Sequence, residues 1–262
     1  GGHSGSCISK ERGNAIKLAA RLLHELKKEI PLRLASIDGG EKENAIPRDC
    51  AVIFASSEEP EVIRKTAERI FGQLKEELKN TDGGAEFSWR EICVSQALSE
   101  DLTERVLEFL YLLPTGLRSR NLKLQVPEAS ENLAVIRTGD EEIVVNYSLR
   151  AASESKKESM AEELRLFAKV FGGTYEEGAR YPAWPYKEES VMREKLADAY
   201  RKITGEELQL VAVHGGVECG IFASAIPEMD IITFGSRGLD VHTPGEHLDL
   251  KSFRDCFEIV RE

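Results

Sequence analysis

The stretch at residues 210–250 constrains the fold more than any other part of the chain. It reads LVAVHGGVECGIFASAIPEMDIITFGSRGLDVHTPGEHLDL. Residues 208–213 form a short apolar run closed by His214-Gly215-Gly216, the pattern of a strand entering a tight turn. Residues 217–226 then have helical character. A second, β-branched run at 229–234 ends at Gly235, and the loop beyond it holds His242-Thr243-Pro244-Gly245-Glu246. Ligands of open α/β sheets bind beyond the carboxyl ends of the strands, so both histidine-bearing turns fall where chemistry is usually sited.

The chain has 262 residues, 41% of them apolar, enough for two domains with separate cores. Its net charge is -11 and its pI is near 5.2, with no basic stripe, which argues against nucleic acid and anionic membrane as partners. No apolar run is long enough to span a membrane, and no signal peptide opens the chain. The five cysteines, Cys7, Cys50, Cys93, Cys219 and Cys256, have no CxxC spacing. An odd, dispersed set in an acidic chain is expected to be reduced thiols of a cytoplasmic protein.

Along the first part of the chain, residues 11–30 place Ala15, Ile16, Ala19, Ala20, Leu22, Leu23 and Leu26 on one helical face, and Pro31 ends the pattern. Residues 32–37 and 49–55 read as strands. Pro60 opens a helix that runs to about residue 78 and stops before Asp82-Gly83-Gly84; residues 86–94 alternate as a strand. A helix over 101–112 follows. Strands at 133–137 and 143–149 flank the hairpin signal Thr138-Gly139-Asp140-Glu141, and a helix over 153–171 closes the region. This order predicts an α+β layer over residues 1–178, with helices on one face of a mainly antiparallel sheet. Residues 179–262, with helices expected at 190–203 and 250–260, read as an α/β segment.

Several motifs carry a resemblance. HGGVECG, then FG, six residues and HTPGE, together with GGHSG at the start, Leu113-Pro114-Thr115-Gly116 and Tyr181-Pro182-Ala183-Trp184, resemble the dinuclear zinc aminopeptidase and aminoacylase superfamily. The nearest branch is the Xaa-His (aminoacyl-histidine) dipeptidases. The resemblance runs over the whole chain and is weak between residues 32 and 99. It implies that residues 1–178 are a lid or dimerisation domain and that 179–262 are the carboxyl-terminal part of a zinc-peptidase catalytic domain. The chain looks like the carboxyl-terminal half of such an enzyme.

The same resemblance implies roles for individual residues. His242 would be a zinc ligand. His3 would reach into the active site of a partner subunit and polarise the scissile carbonyl, a task suited to an imidazole donor. Asn132 would touch substrate across the dimer. Arg150 would grip the substrate carboxylate, where a guanidinium fork pairs two oxygens. Glu218 stays open between a carboxylate that serves substrate or metal and an acidic residue favoured by a helix dipole. The chain departs from the family pattern at Ala151, Thr243 and Gly245.

In the resembled enzymes two zinc ions share a bridging water, and a glutamate takes its proton. The histidine-x-aspartate and glutamate-pair motifs that supply this apparatus are not found here, and one imidazole cannot hold zinc. The expectation is a fragment of a metal-dependent dipeptidase for Xaa-His or similar small dipeptides. Alone it should bind zinc weakly if at all and not hydrolyse peptides. Its implied partners are a second copy through the lid and the absent amino-terminal half of the catalytic domain. The alternative is a non-catalytic dimerisation or peptide-binding module derived from the same family.

Overall fold

A computed structural model describes residues 1–211, 214, 218–239 and 245–262, in two units, Gly1–Ala179 and Arg180–Glu262. The first unit begins with β1 (Gly2–His3), a 3-10 turn at Ile8–Lys10, α1 (Ala15–Glu29), β2 (Leu32–Gly39), β3 (Ala45–Ile46), β4 (Cys50–Ser56) and α2 (Pro60–Glu77). It continues with α3 (Glu100–Leu112), β5 (Gly116–Asn121), β6 (Val126–Thr138), β7 (Ile143–Ala151) and α4 (Glu154–Val170). Local chemistry sets the helix starts. The side chains of Asn14, Ser99 and Ser153 accept from the backbone N–H three residues on, and Pro60 occupies the first turn of α2.

One antiparallel sheet organises this unit, in the order β4-β2-β6-β5, with β7 also on β6. The β6–β7 ladder runs from Ala129↔Ala151 to Thr138↔Ile143, across the turn expected at residues 138–141. β5 pairs with residues 126–131 of β6, and β2 meets β6 only at Gly39↔Ile136. β7 therefore holds one edge of β6, and β5 and β2 share the other end to end, leaving residues 132–135 of that edge without a strand partner. Side chains fill the gap: Asn14 Nδ2 donates to the Leu133 carbonyl at 2.8 Å, and the Leu133 N–H donates to Thr115 Oγ1 at 3.3 Å. Gly40 is required here, because at φ 72° a Cβ would lie 2.0 Å from the Ala134 carbonyl oxygen.

Residues of α1, α2, α3 and α4 form one apolar core with Leu32, Leu34, Ile37, Leu133 and Ile136 of the sheet. Lys17 ties α1 to the carboxyl end of α3, donating to the carbonyls of Leu110, Tyr111 and Leu113, where a cation suits the helix dipole. The result is the mixed α/β architecture with antiparallel strands that the sequence pattern predicts.

Residues 86–94 are not a strand. Their apolar positions pack aromatic rings instead: Phe87 stacks on Phe71 at 5.5 Å and Trp89 tilts against Phe54 at 6.0 Å. Alternation here reports burial against the core, not a hydrogen-bonded ladder.

The second unit contains α5 (Val191–Thr204), α6 (Glu218–Ala225), β8 (Gly238–Leu239), β9 (His247–Leu248) and α7 (Leu250–Arg261), with α5 packed on α7. The run at 229–234 and the described part of 208–213 are irregular, because an apolar run becomes a strand only beside a neighbour that completes its ladder. Among the described residues of this unit, Ile259 is the only large apolar side chain that is buried, whereas Ile221, Phe222, Leu250, Phe253, Phe257 and Val260 are exposed. Among the described residues no helix is long and apolar enough to cross a membrane.

Asn14 caps α1 and bridges the gap in β6 with the two ends of one amide. Asn14→Ala should cost about 2–3 kcal/mol in urea unfolding, and Asn14→Ser, which keeps the cap and loses the bridge, should recover about 1 kcal/mol of it. A loss below about 0.5 kcal/mol for Asn14→Ala would contradict this bridging role.

Candidate functional site

The GGHSG turn starts in a small two-stranded ladder, β1 with β3, separate from the five-stranded sheet. Gly2 pairs with Ile46 and His3 with Ala45, and the Ser4 N–H donates to the Asn44 carbonyl at 2.9 Å. The chain then folds back, with the Cys7 N–H on the His3 carbonyl at 2.9 Å. Inside this turn the N–H groups of Gly5 and Ser6 both point at His3 Nδ1, at 3.0 and 3.3 Å. An Nδ1 that accepts two backbone donors leaves the neutral imidazole its proton on Nε2. His3 is thus held as an Nε2–H donor by its own turn.

Arg150 lies across the same turn. A Cβ on Gly5 would stand 3.1 Å from the His3 ring and 3.7 Å from the Arg150 guanidinium carbon, so glycine lets the two side chains share the space. Arg150 Nη2 lies 3.4 Å from Ser4 Oγ, and Ser4 is itself buried. The Arg150 Nε is buried without a hydrogen-bond partner, and burial holds the guanidinium pKa below its ordinary value. A half-buried cation with an unused donor is in the right state to meet an anion.

Asn132 completes the group. It is 2% exposed, and its Nδ2 donates to the Ala45 carbonyl at 2.7 Å, on the residue that pairs with His3. Its Oδ1 is buried without a partner, an orphan acceptor of the kind that a ligand donor satisfies. Strand pleating sets the geometry: Ser130 and Asn132 share one face of β6, and Arg150 stands opposite Ser130 in the β6–β7 ladder. The structure therefore brings together His3, Asn132 and Arg150, which lie far apart in sequence. Sequence reasoning missed Ser4, although GGHSG contains it, and missed the role of Gly5 as the space between the His3 and Arg150 side chains.

Two further residues are expected at the site from the sequence. Glu218 is exposed in the first turn of α6, where the helix dipole favours a carboxylate. His242 lies outside the described residues. Among the described residues no group of three or more His, Cys, Asp or Glu side chains could hold a metal ion, so they do not by themselves fit a zinc centre. All five cysteines are unpaired thiols, and burial pushes Cys50 up to about 12, far from a nucleophile's range.

Comparison with known proteins gives a consistent result. Residues 1–83 match the peptidase dimerisation domain family. The whole chain is 27% identical, over 265 residues, to the cytosol non-specific dipeptidase of Escherichia coli (strain K12), covering 55% of that protein. The crystal structure of aminoacylhistidine dipeptidase from Vibrio alginolyticus superposes with a TM-score of 0.86 at 28% identity, over 99% of this chain and 54% of that one. The chain spans about half the length of the curated relative that it matches. The chain is therefore similar over its length to about half of each of these dipeptidases, and its residues 1–83 to a peptidase dimerisation domain, in agreement with the motif resemblance.

The hydrogen bonds at His3 make a spectroscopic prediction that needs no activity. In ¹⁵N spectra of the full chain above neutral pH, His3 should show an unprotonated Nδ1 and a protonated Nε2. Gly5→Ala, which pushes a methyl group against the ring, should mix the tautomers. Equal tautomer populations in the parent chain would contradict the assignment.

Proposed function

We propose that this chain is the lid-bearing part of a metal-dependent dipeptidase of the cytoplasm, acting on Xaa-His or similar small dipeptides. The observation that carries this reading is the meeting of an imidazole donor and a half-buried guanidinium across one glycine. Each residue has a task that its setting suits. Arg150, held by Ser4, takes the free carboxylate of the peptide. His3, fixed with Nε2–H outward from its turn, donates to the carbonyl oxygen as negative charge develops there. Asn132 holds β3, the strand paired with the one that carries His3, and offers its orphan Oδ1 to a substrate donor. In this reading Glu218 helps to receive the substrate amino group, and His242 supplies one ligand to a zinc centre completed by other residues. Such a metal would polarise the carbonyl and activate water.

Two further features support this reading. The match to a peptidase dimerisation domain favours a homodimer through the first unit. The exposed apolar side chains of α6 and α7 favour a second unit that packs against further polypeptide, such as the amino-terminal half of a dipeptidase catalytic domain. A non-catalytic dimerisation or peptide-binding module would need the same first unit and is separated by assay.

The purified chain with zinc or cobalt should not hydrolyse an Xaa-His dipeptide. Adding the amino-terminal half of the Escherichia coli relative in trans should produce hydrolysis. In that mixture Arg150→Ala should lower kcat/KM about tenfold to hundredfold, the cost of a charge-assisted hydrogen bond. Robust cleavage by the chain alone would sink the claim that it is incomplete. A mixture that binds peptide but never cleaves it supports the binding-module alternative.

A further inference from the structure

Directly behind the face that carries Asn132 and Arg150 lies a charged cluster that the reading above does not use. Glu131, between Ser130 and Asn132 on β6, points into the opposite, helix-covered side and is 1% exposed. Arg118 of β5 places Nη1 2.9 Å from Glu131 Oε1 but at an angle that closes no hydrogen bond, and its other nitrogen pairs with Glu163 of α4. The Tyr147 hydroxyl of β7 lies against the Glu131 carboxyl, also without a well-aligned bond. Lys17 of α1 is the next cation, more distant and already committed to the end of α3. One guanidinium thus faces two carboxylates, and the buried one is poorly solvated by its neighbours.

An ionised carboxylate in that position is expensive and a neutral carboxyl is not. Burial is the largest cause and Glu163 adds to it; together, against Arg118 and Tyr147, they push the Glu131 pKa up to about 7. Glu131 is paired in the ladder with Leu149, the residue before Arg150, and is bonded in the chain to Asn132. Any shift of the Glu131–Leu149 pair therefore moves both residues of the outer face.

We propose that Glu131 is a proton-controlled positioning residue: its neutral carboxyl holds β5, β6 and β7 closed, and its ionisation loosens the strand pair that presents Asn132 and Arg150. The inference deepens the functional reading, in that this face is the substrate side, but its test needs no peptide. A folded-state pKa raised above the ordinary 4.5 means that the stabilising contribution is complete below 4.5 and is lost as pH rises through about 7.

The experiment follows the Asn132 side-chain amide and the Arg150 backbone amide of the full chain by ¹⁵N NMR against pH, alongside urea unfolding. In the parent chain both signals should move with a midpoint near 7, and stability should fall between 4.5 and 7. Glu163→Gln, a change on the surface of α4, should shift the midpoint downwards, because Arg118 is then left to Glu131 alone. Glu131→Gln should abolish the transition and flatten the stability profile. A midpoint that Glu163→Gln does not lower overturns the proposal even if Glu131→Gln fails to fold. A transition unchanged in Glu131→Gln belongs to another group and overturns it as well. A chain that titrates as expected yet gives no dipeptide hydrolysis when the amino-terminal half is supplied in trans keeps this inference and removes the functional reading.

Discussion

The constraint on which the first unit depends is the double duty of β6. One edge of this strand is covered by β7 along most of its length, and the other is divided between β5 and β2, with a gap at residues 132–135. A buried strand edge without partners is costly, and Asn14 and Thr115 supply the missing groups from outside the sheet. Because Asn14 also caps α1, the helix layer and the sheet are tied at the same point. The two faces of β6 then diverge in character. One carries Leu133, Ile136 and the Glu131 cluster against the helices, and the other carries Ser130 and Asn132 beside the GGHSG turn.

That divergence explains how a site can be built from small parts. Each side chain of the His3, Asn132 and Arg150 group has a holder outside the group. Backbone donors hold the imidazole, Ser4 holds the guanidinium, and the Ala45 carbonyl holds the amide. Two buried polar atoms, Arg150 Nε and Asn132 Oδ1, are left without a hydrogen-bond partner, as expected where polar groups are reserved for binding. The second unit has the opposite economy: well-formed helices with apolar faces turned outward and little interior of its own.

The sequence made the helices and the central strands legible because capping residues, Pro60 and the 3.6-residue period act locally. The helix predicted over 11–30 is α1, and the hairpin signal at 138–141 joins β6 to β7. Strands that depend on distant neighbours were less legible. Residues 86–94 and 229–234 have strand-like composition but no ladder, and β1 with β3 was invisible because two-residue strands have no period. Of the site, motif resemblance singled out His3, Asn132 and Arg150 individually. It could not reveal that Gly5 separates two of them or that Ser4 and Ala45 hold them, since those are contacts across long stretches of chain. Glu131 gave no signal at all: a glutamate between serine and asparagine reads as surface until its burial is seen.

The central claim is that His3 and Arg150 form one ligand site within the first unit. It is tested most directly by titrating the full chain with an Xaa-His dipeptide while following the His3 imidazole and Arg150 guanidinium resonances. Both sets of signals should shift along a single saturation curve. Shifts that follow two separate curves, or an Arg150 signal indifferent to a peptide that moves His3, would contradict it.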